Sequence, residues 1–499
     1  MPSLQPHPPR VPSPEEARSL RRAFAECGYN DSSLVAKLGG VELPTPRSRT
    51  LPRMVRLTAG GTPLDTLARL FLFSMPVPEE AARAALGASA LEIACRLELV
   101  QAEGSEVAAT AVVHPYGDLL IAYDLPAQHL GAAPDVVMGI SASTMDLARF
   151  TVRRRARNTL DIGTGCGFHA FLAAEHATQV YAVDYSRRAV AFANFNTALN
   201  GLGNVECLYG DRFEPVRGRR FDMIVGNLPF VIAPSSRFLY RDGGMELDGF
   251  ARGVLREAAE CLEDDGLCQI ICDWVHIEGQ DWKERLRSWF DGTGCDAWIV
   301  RLSTAKPLLY AETWLRETEH EDPAETARTF EEWATYYERH RVERISTGLI
   351  AMRRAPGRRN WLHLDDWPNH LPEDFSGRVS RGIALCDFLR DAEDRDGLLG
   401  ARLTVNPEVR LLTGNQWSPD GWRVLEARVG IESWPGHEGA INPNVLHLLT
   451  MLDGERTLRD CVSALAVRLH GSFEQVAEAC LPVVRELIEG AYLLPREAQ

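Results

Sequence analysis

The spacing of apolar positions changes twice along this chain. In the first stretch they recur at helical intervals in short runs. Ser13-Pro14-Glu15-Glu16 has the form of a capping box with proline at the first helical position. Leu20, Phe24 and Cys27 follow on one face, and TPLDTLARLFLFS, VPEEAARAALG and ALEIACRLELV read as further short helices. EVAATAVVHPYGDLLIAYD reads as two strands around a turn at 114–118. This order predicts a small winged-helix-like module over 13–134, preceded by a disordered lead-in at 1–12. Lacking a basic recognition face, the module is expected to make protein contacts rather than to bind DNA.

From 135 to 356 the pattern becomes an alternation of apolar strand-length runs and helical stretches. NTLDIG, QVYAVD, VECLYG, FDMIVGN and LCQIICDW are nearly continuous in apolar character, as strands covered on both faces must be. CDAWIVRLS and RISTGLIAMRR supply the last strands, and PAETARTFEEWATYYERHR between them reads as a charged, inserted helix. Such a series implies a Rossmann-like, doubly wound α/β sheet. Residues 357–499 change character again. A turn-rich lead, PGRRNWLHLDDWPNHLPEDFSG, precedes two strand patterns, three helical patterns and a short final strand. This predicts a separate C-terminal α+β accessory domain, again winged-helix-like.

At 499 residues the chain is too long for one ordinary core, which fits this division. Its net charge of -15 works against non-specific attachment to nucleic acid. Two arginine clusters, Arg153-Arg154-Arg155 with Arg157 and Arg353-Arg354 with Arg358-Arg359, remain candidate phosphate contacts, though solvated faces explain them as well. No apolar run is long enough for a bilayer span, and no signal-like segment stands at the start, so a cytoplasmic location is expected. The eleven cysteines show no metal-ligand spacing. No metal is expected, and the thiols are expected to be reduced and buried.

The chemistry concentrates at four strand ends. The first candidate strand runs into Asp161-Ile162-Gly163-Thr164-Gly165-Cys166-Gly167, where alternate glycines permit a tight turn and close approach to a ligand. The spacing is G-x-G-x-G, not the G-x-G-x-x-G of dinucleotide enzymes. The second strand ends at Asp184, 23 residues on, placed to accept the two ribose hydroxyls of an adenosine. The third ends in Tyr209-Gly210-Asp211, a carboxylate that can accept from an adenine amino group. The fourth ends in Asn227-Leu228-Pro229-Phe230. A dinucleotide-binding domain is the competing reading of the glycine loop alone.

Taken in order, DIGTGCG, the Asp184 step, GDRFEPV and NLPF resemble class I S-adenosylmethionine-dependent methyltransferases of the methyltransferase small domain family. That family includes release-factor glutamine methyltransferases and nucleic-acid base methyltransferases. The run Asp242-Gly243-Gly244-Met245-Glu246-Leu247-Asp248-Gly249 is similar to the loop following the aromatic motif in the glutamine enzymes. The resemblance covers about 140–275 and does not extend to the flanking domains. It implies S-adenosylmethionine as cofactor, held by Asp161, Gly163, Thr164, Gly165, Gly167, Asp184, Tyr185, Asp211, Arg212, Phe213 and Asn227. It also implies a planar nitrogen as methyl acceptor, in a protein amide by preference, otherwise in a nucleic-acid base or a small molecule. A non-catalytic cofactor-binding module is the alternative of another class.

In that family Asn227 and the carbonyl of Leu228 would accept the two N–H bonds of the target nitrogen, with Phe230 against its plane. Two adjacent prolines commonly follow the asparagine, whereas here Leu228 stands in the first proline position. Leucine keeps the carbonyl. Pro229 still restrains Leu228, but Asn227 loses the restraint that a following proline imposes. A working and looser site is expected. Ser143 and Thr144 are candidate cofactor contacts or simply a helix cap. His169 is expected to be an exposed helix residue rather than a base. Tyr240, Arg241 and Asp242 are read either as an acceptor-side lid or as a surface loop.

Overall fold

The computed structural model describes residues 7–40, 43, 50–125, 134–318, 323–367, 371–431 and 439–496. The first half of the expected lead-in, 1–6, lies outside them. The second half is placed: the Arg10 amide donates to the Leu97 carbonyl at 2.8 Å, and Pro9 is buried.

The helix Pro14–Glu26 begins at the expected capping box, with Ser13 and Glu16 bonded reciprocally. β1 (Val77–Pro78), β2 (Val100–Glu103) and β3 (Glu106–Ala109) form an antiparallel sheet in the order β1-β3-β2. The expected two-stranded hairpin is thus three strands. Glu106–Ala109 pairs backwards with β2, and only β4 (Val112–Tyr116) and β5 (Leu119–Tyr123) form the hairpin around residues 117–118. Thr110 causes the break: its amide bonds the Leu99 carbonyl and its hydroxyl the Glu98 carbonyl.

The central sheet consists of β6 (Ala156–Ile162), β7 (Ala177–Asp184), β8 (Val205–Tyr209), β9 (Phe221–Asn227), β10 (Leu262–Ile277), β11 (Cys295–Ala305), β12 (Val342–Arg354) and β13 (Leu362–Asp366). Among the described residues its order is β13-β11-β12-β10-β9-β6-β7-β8. β6 pairs in parallel with β7 on one side and β9 on the other, so the strand order reverses there, which is where sheets of this kind bind ligands. Every strand expected in 135–356 is present. β13 was hidden in the turn-rich lead, as was the start of the helix Phe375–Asp391, and Pro307–Thr318 is a second helix beside the expected Pro323–Arg339.

By compactness the chain divides into two units, 1–148 with 153–289 and 304–347, and 149–152 with 290–303 and 348–499. In the first, one continuous core runs from Leu20, Phe24 and Phe71 to Phe171, Phe192 and Phe195. Two asparagines on the helix Arg187–Asn200 hold the edge strand β5. Asn196 bonds both the amide and carbonyl of Ala122 at 2.8 Å, and Asn200 does the same for Leu120 at 2.9 and 2.8 Å. Their four-residue spacing matches the two-residue pitch of the strand, so side-chain amides take the place of a neighbouring strand. Asn196 also donates to the Cys166 carbonyl at 2.9 Å, tying this edge to the glycine loop.

The second unit contains β14 (Arg402–Val405), the long hairpin of β15 (Val409–Ser418) and β16 (Gly421–Ile431), β17 (Gly439–Ile441), β18 (Asp453–Thr457) and β19 (Leu493–Pro495). Arg353 does not lie on a solvated face. It is mostly buried and bonds Asp296 and Asp387 at 2.5 and 2.6 Å. The eleven cysteines are free, but not uniformly buried, since Cys95 is exposed. Among the described residues no helix is long and apolar enough to cross a membrane.

Candidate active site

Asp161 is the last polar residue of β6 and is fully enclosed. Its Oδ2 accepts from the Thr164 hydroxyl at 2.6 Å and the Ala170 amide at 3.0 Å, while its Oδ1 is buried with no partner. Burial pushes this carboxyl up to about 7, against the pull of its two hydrogen bonds and with added repulsion from Asp184. Asp184, ending β7, is held from both oxygens: Oδ2 accepts from the Gly165 amide and Oδ1 from the Ser186 amide, each at 2.8 Å. Burial raises it as well. The two carboxylates therefore fasten the glycine loop between them, and Asp161 retains one open acceptor.

All three loop glycines have positive φ, but for different reasons. At Gly165 an added Cβ would meet nothing within 4 Å, whereas at Gly167 it would lie 2.2 Å from the Phe171 ring. At Gly163 an added Cβ would lie 3.8 Å from the Asn227 carbonyl oxygen, an ordinary contact distance.

Beyond Asp184, the exposed rings of Tyr185 and Tyr209 lie 6.4 Å apart and near parallel, with the Arg187 guanidinium 4.0 Å over Tyr209. Tyr209 and Arg187 were not singled out from the sequence, because a lone aromatic at a strand end carries no signal until its neighbour strand is known. Asp211 is exposed. The guanidinium of Arg212 is engaged by Glu257 at 2.5 Å and Asp211 at 3.4 Å, and Phe213 is buried.

Asn227 ends β9 beside Gly163. Its amide nitrogen faces Thr144 Oγ1 at 3.2 Å and Ser143 Oγ at 3.4 Å. These hydroxyls belong to the first turn of the helix Ala142–Phe150. There Ser141 caps the Thr144 amide at 3.2 Å and bonds both hydroxyls at 2.9 Å. With its nitrogen so occupied, the Asn227 side-chain oxygen is turned away from the cluster. Leu228 is buried at 2% exposure, Pro229 and Phe230 are half-buried, and the Phe230 ring meets Trp314 edge-on at 6.1 Å.

Comparisons with known proteins concern the same stretch of the chain. Residues 154–318 match a family described as a methyltransferase domain. Residues 154–318, the stretch that holds the glycine loop, Asp184, Asp211 and Asn227, are thus similar to methyltransferase domains. Residues 26–110 and 381–495 match two families described as domains of unknown function. Over 126 residues the chain is 38% identical to a ribosomal protein uL3 glutamine methyltransferase of Bradyrhizobium diazoefficiens, covering 22% of this chain and 40% of the relative. Over 121 residues it is 31% identical to a release factor glutamine methyltransferase of Thermodesulfovibrio yellowstonii, covering 22% and 43%. The chain thus spans less than half the length of these relatives. Trm5b from Pyrococcus abyssi is 17% identical, with 55% of this chain and 71% of that chain covered, at a TM-score of 0.29.

Within residues 154–318 two expectations need correction. His169 is buried, at 7% exposure, because the helix Phe168–Ala174 packs on both faces. Burial lowers it to about 3, so it stays neutral. Arg241 and Asp242 are not on a surface loop. They form a buried ion pair at 2.6 Å, with the guanidinium over Phe238 and Trp333. Asp242 also accepts from the Arg237 and Phe238 amides. The Val231 amide bonds the Arg241 carbonyl at 2.9 Å, and a Cβ at Gly243 would lie 2.9 Å from the Pro229 carbonyl oxygen. The glycine-rich run therefore folds back onto the NLPF segment. Asp248, at its end, is gripped by Arg285 through both oxygens at 2.5 Å. The Arg154 and Arg157 side chains engage Asp222, Asp265 and Glu263 at the amino ends of the strands, opposite the candidate site.

Proposed function

We propose that the chain is an S-adenosylmethionine-dependent N-methyltransferase acting on a planar nitrogen, with a glutamine or asparagine amide of a protein as the preferred acceptor. The observation that carries the reading is Asn227. Its nitrogen is fixed on Ser143 and Thr144, which leaves its oxygen and the Leu228 carbonyl as two acceptors at the strand end beside the glycine loop. Two acceptors suit an NH₂ group, whose delocalised lone pair becomes available when both N–H bonds are held and the nitrogen turns tetrahedral. Relatives named as glutamine methyltransferases support the amide over a base, and so does the net charge of -15.

The residues present suit this cofactor. Bound there, S-adenosylmethionine supplies an activated methyl group on a sulfonium. Asp161 would hold its ammonium group through the buried, unpartnered Oδ1, and Asp184 its ribose. Asp184 keeps free lone pairs for this beside its two amide bonds. Gly163, Thr164, Gly165 and Gly167 shape the floor, and Tyr185, Asp211 and Phe213 flank the base. The Arg212 guanidinium is already engaged by Glu257 and Asp211.

A pH dependence follows from Asp161. Its carboxyl is pushed up to about 7, so below that pH it is protonated in the free protein and cannot pair with a cation. Cofactor affinity is expected to rise with pH and level off above 7, falling on the acid side by roughly tenfold per pH unit. Calorimetric titration across pH 5–8.5 checks this. Asp161→Asn should bind weakly at all pH and lose the Asp161 part of the slope.

The function itself is tested by incubating methyl-labelled S-adenosylmethionine with protein-depleted and nucleic-acid-depleted lysate fractions. Label in protein that survives nuclease supports the amide reading. Label in RNA or DNA overturns that choice of acceptor, and no label with the cofactor bound counts against catalysis.

A further inference from the structure

The NLPF segment lacks one proline of the rigid pair, yet its far end is held by other means. Ile232, two residues past Phe230, is bonded through both its backbone groups. Its amide donates to the Tyr310 hydroxyl at 3.1 Å, and its carbonyl accepts from the Tyr337 hydroxyl at 2.7 Å. Each phenol has one proton, and the directions are consistent. Tyr310 donates its own proton to the buried Asp273, leaving a lone pair for the Ile232 amide. Tyr336 accepts from the Leu247 amide at 2.9 Å, fixing the returning glycine-rich run. All three tyrosines sit on Pro307–Thr318 and Pro323–Arg339, the helices between β11 and β12. Tyr310, Tyr337 and Ile232 share one buried cluster, with Trp314 packed against it and against Phe230.

We infer that Tyr310 and Tyr337 are positioning residues for methyl transfer: they clamp Ile232 and thereby hold the Leu228 carbonyl and Phe230 in place, supplying the rigidity that Leu228 withdraws. This rests on the proposed N-methyltransferase reading, since it gives the Leu228 carbonyl a task. The span 228–231 is then anchored at both ends, by Asn227 on Ser143 and Thr144 and by Ile232 on the two phenols. Loss of either phenol oxygen leaves a buried backbone group of Ile232 without its partner, and the segment relaxes to satisfy it.

The test uses the full chain with Tyr310→Phe, Tyr337→Phe and the double variant, which keep the aromatic packing. Hydrogen exchange at 228–234 is expected to accelerate in each, while calorimetry gives unchanged S-adenosylmethionine affinity. The initial rate of label transfer into the fraction labelled by wild type, at saturating cofactor, should fall by about tenfold per phenol. Adding Leu228→Pro to Tyr337→Phe should recover rate, which a merely destabilised fold gives no reason to expect. Unchanged exchange at 228–234 in the double variant overturns the clamp. So does an unchanged rate with faster exchange or a lower melting temperature. If wild type transfers no label to any fraction, the functional reading has failed, and the exchange result alone then decides whether the phenols hold the segment.

Discussion

Asn227→Ala is expected to lower methyl transfer by on the order of 10²-fold or more while leaving S-adenosylmethionine affinity within about threefold. The asymmetry follows from where the side chain points. Its nitrogen is engaged by Thr144 and Ser143, and neither hydroxyl depends on it, because Ser141 bonds both. Truncation therefore leaves the helix cap and the glycine loop intact. It removes one of the two acceptors that would hold the target NH₂. Binding of the nitrogen in its planar form loses little, whereas the tetrahedral arrangement needed for transfer loses its directional partner. Asn227→Asp keeps an acceptor oxygen and is expected to retain more activity than the alanine variant. Initial rates with labelled cofactor, beside calorimetric affinities for the same preparations, separate the two effects. Equal losses in rate and cofactor affinity would mean that Asn227 serves the cofactor rather than the acceptor nitrogen.

The second large effect is expected at Gly167. A Cβ there would stand 2.2 Å from the Phe171 ring, at a φ of +95°. Gly167→Ala therefore carries a backbone cost of roughly 1–2 kcal/mol for a left-handed residue. It adds roughly 1–3 kcal/mol for displacing a ring that cannot leave a packed core. Phe171 is fully buried in the cluster shared with Phe168 and Phe192. Gly165→Ala is the control: its φ is also positive, but an added Cβ meets nothing within 4 Å, so only the backbone cost applies. Denaturant melts of the two variants should differ accordingly, with Gly167→Ala also losing cofactor binding. Equal melts would mean that the ring yields, contrary to the packing around it.

Both predictions draw on motifs legible in the sequence, and the reason is local. A parallel strand covered on both faces must be apolar throughout, so β6, β7, β9 and β10 stand out as apolar runs, whereas β8 is an edge strand with no buried residue and is marked by its place in the series. Ligand sites of such sheets lie at the strand ends, so Asp161, Asp184, Asp211 and Asn227 fall into order from the sequence alone. The doubly wound α/β sheet is legible for the same reason.

Other features are legible only in part. His169 follows the glycine loop as an exposed residue would, yet its helix is covered on both sides. Arg241 and Asp242 are adjacent charges in a glycine-rich run, a pattern that ordinarily means solvent. Only the return of the run onto Val231 and Trp333 encloses them. β13 and the helix Phe375–Asp391 are masked by the prolines and aspartates around them.

The sequence by itself determined the α/β class, the order of the strand-end motifs and the substitution at Leu228, because each depends on residues within one element. Tertiary structure alone decided how that substitution is accommodated. Tyr310 and Tyr337 reach Ile232 across 78 and 105 positions, and Asn196 reaches Ala122 across 74. No periodicity or spacing encodes such bonds. Each forms because a buried backbone group must find a partner, and the fold brings that partner to it.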